Sequence, residues 1–139
     1  MEMPERLERI EERAFHNCRS LREVRLNPGL KRIDNFAFDV TALTELRVPA
    51  SIEAIGERIV PNRVMDFSGP AAGFSIDEGA QMLSIDERGG LYQVTANGVH
   101  FVRMLDPRIR DYELRAGTRI VDEQAFGRHK AIERVVIPS

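Results

Sequence analysis

Pro49-Ala-Ser-Ile52-Glu-Ala-Ile55-Gly-Glu-Arg58 decides the reading of this chain, because versions of it stand at four places. Pro4, Leu7 and Ile10 carry its spacing ahead of Glu-Glu-Arg-Ala-Phe15. Asn27, Leu30 and Ile33 carry it ahead of Asp-Asn-Phe-Ala-Phe38, and Arg115, Thr118 and Val121 ahead of Asp-Glu-Gln-Ala-Phe126. The first three copies start 23 and 22 residues apart. A unit that short cannot bury its apolar edge alone and must stack on the next.

Within a unit the spacing changes character. Ala14 to Leu21 follows gaps of three and four residues, which predicts a short helical turn, whereas Val24/Leu26 and Leu46/Val48 alternate as a strand does. Asn27-Pro28-Gly29 and Pro49 then turn the chain. The apolar positions from Ile10 superpose on those from Ile33 once a residue is dropped between Phe38 and Leu43, which places Cys18 at the inward position of Val40.

These strings, Ile10-x-x-x-Ala-Phe-x-x-Cys-x-Ser-Leu-x-x-Val-x-Leu26 and Val48-Pro-Ala-Ser-Ile-x-x-Ile-Gly56, resemble the BspA-type, or Treponema pallidum-type, leucine-rich repeats of bacteria. The resemblance covers residues 4–56 and returns over 112–138. Asn27 departs from the pattern's Pro, the turn after Phe38 is short, and Ile59-Val60 replaces Ala-Phe. It implies a leucine-rich-repeat solenoid, α/β horseshoe-like and β-rich with short helical turns. It also implies bacterial origin and a cell-surface or secreted, adhesive role, although Met-Glu-Met-Pro-Glu-Arg lacks the apolar stretch of a signal peptide. The whole of 1–139 is expected to be one domain, with repeats at about 4–26, 27–48, a degenerate 49–67, and 115–138.

From Pro49 to Arg115 is 66 residues, three steps long but not three repeats. Val64-Met65-Asp-Phe67 could supply the third unit's strand, and Ser68–Gly73 reads as a turn-rich connection. Short β-rich runs bounded by Gly, Asn, Asp or Pro follow to about residue 114, with Asn97-Gly98 the sharpest turn signal. The order Phe-Ser-Ile-Asp-Glu, Gly-Leu-Tyr, Leu-Asp-Pro107 and Tyr112-Glu-Leu114 resembles the inserts that the same family places between repeats. An insert of β-hairpins over 68–114 is expected.

Between the inward pairs of each strand, Glu23, Arg25, Glu45 and Arg47 point outward, as do Arg134 and Val136 in the last unit. Stacked coils set such positions roughly 5 Å apart, giving a Glu column beside an Arg column. That face is the expected contact for a protein partner; its plainer reading is a solvated charged surface. Both ends stop at one phase of the repeat without a polar cap. This predicts adhesive ends, capable of self-association, or a segment cut from a longer array that serves as a spacer.

Other chemistry is weakly signalled. The formal charge of −2 and aromatic content of 6% argue against nucleic acid, and no apolar run approaches the ~20 residues of a membrane span. Asp77/Glu78 and Asp86/Glu87 lack calcium-loop spacing. Cys18 with His16 is read as structural and not as a nucleophile; His129 and His100 have no partner at metal-ligand spacing. No enzyme activity, cofactor or metal is expected. A carbohydrate or catalytic site near Tyr92, His100 and Tyr112 is the one alternative in the insert.

Overall fold

A computed structural model describes residues 4–59, 73–123, 125–127 and 129–138. Its strands, in order, are β1 (Arg9–Ile10), β2 (Arg32–Ile33), β3 (Leu46–Val48), β4 (Ala54–Ile55), β5 (Phe74–Ile76), β6 (Leu83–Ile85), β7 (Gly90–Thr95), β8 (Gly98–Met104), β9 (Asp111–Glu113), β10 (Thr118–Val121) and β11 (Arg134–Val136). Together they wind a β-solenoid.

The repeated spacing is a repeated turn. The amide of Leu7 donates to Pro4 O, Leu30 to Asn27 O, Ile52 to Pro49 O and Thr118 to Arg115 O, all at 3.1–3.2 Å. Each turn delivers a very short strand. Strands β1, β2 and β4 stack in parallel, with Arg9, Arg32 and Ala54 in one row and Ile10, Ile33 and Ile55 in the next. The isoleucine row is buried and the other faces outward, as a period of two demands. Asn27 takes the place of a proline in this stack: its Nδ2 donates to Leu7 O at 2.6 Å, and Ser51 Oγ donates in the same way to Leu30 O.

The expected helical turns do not form, and no helix occurs among the described residues. From Arg13 to Cys18 the amides alternate between two destinations. Arg13, Phe15 and Asn17 donate to Asn35 O, Ala37 O and Asp39 O of the next coil, while Ala14, His16 and Cys18 donate three residues back. A helix would need every one of these donors for its own carbonyls. Left-handed backbone at Arg13, Asn17, Phe36, Val40 and Arg58 enforces the break. The three- and four-residue gaps therefore arise from consecutive turns.

That geometry also corrects the alignment of Cys18. Asn17 and Val40 share the left-handed position, so Cys18 corresponds to Thr41, whose hydroxyl donates to Phe38 O. Cys18 is exposed, and Val40 is 40% exposed, so neither is an inward residue. On the other side of the coil, Arg25 forms an isolated bridge where a strand was expected across Val24–Leu26.

Strand β5 pairs in parallel with β3, matching Leu46 to Phe74 and Val48 to Ile76. The expected strand at Val64–Phe67 lies outside the described residues, as does most of Ser68–Gly73. Beyond β5, the antiparallel strands β6, β7 and β8 form a meander whose last member turns back into the stack. β8 pairs in parallel with β10 and β9 with β11, and Asp122 N donates to Phe101 O as Asp34 N does to Ile10 O. The β7–β8 loop is Ala96-Asn97, with Gly98 just after it at φ 113°; a side chain there would also collide with Arg119.

The meander stands inside the core. Leu91, Val102 and Leu105 join the apolar cluster of the first three coils, whereas Tyr92, Phe101 and Met104 join a second cluster with Tyr112, Leu114 and Ala125. β7 is accordingly buried on both faces from Gly90 to Gln93. The Gln93 side chain completes the joint: its Oε1 accepts the Ile55 amide at 2.6 Å.

Candidate functional site

Glu23, Arg25, Glu45 and Arg47 lie in one groove of about 650 Å3, with Arg22 and Asp77 also on its walls. The fold puts them there for a local reason. Leu46 and Val48 are buried in β3, so the alternate residue Arg47 must project outward. Glu23 approaches Arg25 at 3.6 Å along one edge, with both side chains well exposed. Arg47 Nε donates to Asp77 Oδ1 on the segment that follows β5. Arg22, Arg25 and Arg47 stand against Glu23, Glu45 and Asp77 on its walls, so the groove has no net sign. Half-buried Val24 and Leu26 with Pro28 and Pro49 provide the apolar part of its lining.

Arg134 and Val136 do not reach this groove. They lie on β11, beside Asp111 and Glu113 of β9, in a separate two-stranded sheet. Arg22 and Asp77 line the groove without having been expected there, Asp77 having been weighed only as a weak metal candidate; the signal for Asp77 lay in its spacing. It follows β5 as Pro49 follows β3, and its turn to Ala80 repeats the turn at Pro49.

The remaining candidates are dispersed. His16 Nδ1 faces Asp39 at 3.8 Å, His100 Nε2 faces Asp122 at 3.7 Å, and His129 Nε2 meets Asp106 O at 2.7 Å. No three His, Cys, Asp or Glu side chains converge in a metal-binding group among the described residues. Asp106 lies below the usual carboxylate range because Arg108 hydrogen-bonds its carboxylate.

Tyr92 and Tyr112 are core residues. Their hydroxyls meet at 2.7 Å, Tyr112 donates to Asp86 Oδ2, and the Arg115 amide donates to the Tyr92 oxygen. Asp86 Oδ1 accepts from the Arg88 and Gly90 amides. Burial, and then these bonds to Asp86 and Tyr92, push the Tyr112 hydroxyl far above the usual phenol range. The Tyr92 ring packs on Phe101 on one side, and the Arg115 guanidinium covers it at 4.2 Å. No ring face is left for a sugar to stack on.

Comparison with known proteins agrees with this geometry. A family model described as "BspA type Leucine rich repeat region (6 copies)" matches residues 1–62. No curated protein matches. Among solved structures, a leucine rich cell surface protein from Faecalibacterium prausnitzii A2-165 superposes with a TM-score of 0.73 at 23% identity. The match takes in 99% of this chain and 35% of that one, so the chain spans about a third of its neighbour's length. Among the described residues no helix is long and apolar enough to cross a membrane.

Proposed function

We propose that this protein, whose residues 1–62 match the BspA-type leucine-rich repeat model, is a non-catalytic interaction module that grips a protein partner along the Glu23–Arg25–Glu45–Arg47 groove. Repeat folds of this kind present extended surfaces built from successive coils, and the structural neighbour is itself a cell surface protein. The role proposed for the chain is adhesion at a cell surface. The observation that carries the reading is the convergence of four outward charged side chains, from two successive repeats, on one groove that also holds apolar wall. Paired charges at such a rim select a complementary partner and steer encounter more than they add affinity.

The test is a binding panel of cell-surface and extracellular-matrix proteins, with the wild type set against Arg25→Glu/Arg47→Glu. The reversal should weaken a positive interaction by tenfold or more, roughly the effect of opposing charges across an interface, while thermal unfolding stays unchanged. Equal binding by the reversed chain would sink the groove as the contact.

A second reading, a stacking segment within a longer array, is favoured by one observation. The solved structure that this chain matches is longer, the chain covering 35% of it.

A further inference from the structure

We infer that the outward face of β1, β2 and β4 holds a binding site for a neutral glycan. A recess of about 440 Å3 lies on that face, and it shares no lining residue with the groove of Glu23 and Arg47. The repeat itself makes the recess. Arg9 and Arg32 stand in one outward row whose third member is Ala54. Gly56 N donates to Ile33 O as Asp34 N does to Ile10 O, so Gly56 takes the place of Asp34 in the third coil. Two side chains that the second coil carries are thus missing from the third, and its backbone forms the floor. Gly56 has no room to regain one, since a Cβ would stand 2.2 Å from Asn35 Oδ1.

The polar groups around the recess select the ligand. Arg9 Nε donates to Asp34 Oδ2 at 2.7 Å, which fixes both side chains. Arg32 Nε stands 3.8 Å from Asp34 Oδ1, too far for a hydrogen bond, and its guanidinium makes none among the described residues. Asn35 Oδ1 accepts the Glu57 amide at 2.8 Å, which leaves Nδ2 as a donor for a ligand. Asp34 and Glu12 offset Arg9 and Arg32, so the charges of the recess cancel. An anion would gain from Arg32 and lose against both carboxylates. A hydroxyl donates and accepts, so two neighbouring hydroxyls satisfy a guanidinium and a carboxylate together. Ile33 and Ile55 are buried beneath the recess, which leaves little apolar wall for a protein side chain. Neighbouring strands lie roughly 4.8 Å apart, close to the length that one sugar adds to an extended glycan. Successive sugars therefore meet successive coils, and several chains on one surface raise the avidity of a weak single site.

The test is an array of immobilised oligosaccharides, neutral (glucans, mannans, galactans) and acidic (sulfated, sialylated), followed by calorimetric titration of the glycan bound best. Neutral glycans should bind, with less than about a twofold change between about 50 and 500 mM salt, because no charge on the ligand is screened. Arg32→Gln and Asn35→Asp should each weaken binding by about tenfold, the effect of one lost hydrogen bond; the aspartate keeps an acceptor for the Glu57 amide. Ala54→Arg continues the row of Arg9 and Arg32, so the chain should melt as the wild type does while glycan binding is lost. Arg25→Glu/Arg47→Glu should leave glycan binding unchanged, which separates this site from the protein-binding groove. An array without a neutral ligand, a preference for acidic glycans that salt abolishes, an Ala54→Arg chain that binds as the wild type does, or loss of binding on reversing Arg25 and Arg47 would each overturn the inference.

Discussion

Val40 shows what the repeat costs at one position. It holds φ 56°, where a β-branched side chain crowds its own backbone. The same position in the first coil is Asn17, a residue that tolerates this region. Replacing Val40 by Asn removes strain worth about 1–2 kcal/mol at a position that is already 40% exposed. The urea midpoint should rise; an unchanged or lower midpoint would show that the turn at 40 is not under strain. Gly56 makes the opposite case. A Cβ there would sit 2.2 Å from Asn35 Oδ1 and 2.6 Å from its backbone nitrogen, so the coils must separate to admit it. Gly56→Ala should cost about 1–3 kcal/mol, the usual range for overpacking, by the same denaturant titration. Neither effect was legible in the sequence. Val40 was read as an inward apolar residue from its chemistry alone, and the left-handed position that defines it has no single residue type.

Elements were easier to read than their hydrogen bonds. The four turns at Pro4, Asn27, Pro49 and Arg115 follow from spacing, since each must return an apolar residue to the same inward row. The connection from Ala14 to Leu21 was misread because apolar gaps of three and four are shared by a helix and by consecutive turns. Only the destination of the amides separates the two. Far-UV circular dichroism should accordingly lack the double minimum of helix; its presence would contradict the alternating bonds at Arg13–Cys18. Arg47 was legible as an outward residue because alternation in β3 turns it out, whereas Glu23, Arg25 and Glu45 line the same groove without a strand to set them. Asp77 was not legible, because the sequence ahead of Phe74 departs from the repeat spacing and hides its phase. The Tyr92–Tyr112–Asp86 chain yields a prediction with a sign. A phenol held protonated in the fold, with its folded pKa raised above the ordinary value of about 10, contributes stability that is fully present below about pH 10. That contribution is lost as pH rises toward the folded value. Tyr112→Phe should lower stability at neutral pH by about 1–2 kcal/mol. It should also flatten the decline between about pH 9 and 11. Equal slopes for both proteins would refute the network.

At the scale of the whole molecule, β7 and β8 make one body of two apolar clusters. Leu91 and Tyr92 are adjacent in sequence and serve opposite clusters, so the meander is a partition wall and not an ornament beside the coils. The chain has two tyrosines and no tryptophan, and both tyrosines sit in the second cluster. Tyrosine fluorescence therefore reports that cluster alone, while far-UV dichroism reports all the strands. The two denaturation curves should coincide in the wild type. Gln93→Ala, which leaves the Ile55 amide without its acceptor, should destabilise the chain by about 1–3 kcal/mol and pull the two midpoints apart. Curves that stay superimposed would mean that packing alone couples the clusters.

The alternating amides at Arg13–Cys18 carry one more consequence, which concerns how such a chain can change length. Peptide groups that bond to the preceding and following coils are indifferent to how many coils there are. Copying a block of 22 or 23 codons in frame inserts a coil whose neighbours already fit it, and deleting one closes the gap just as cleanly. A block of any other size leaves the Ile10 row and the Phe15 column out of phase. Between β4 and β7 that freedom ends: Gln93 accepts the Ile55 amide, and a coil slipped between them would separate the pair. Recombination can lengthen the solenoid on either side of the wall, but not across it.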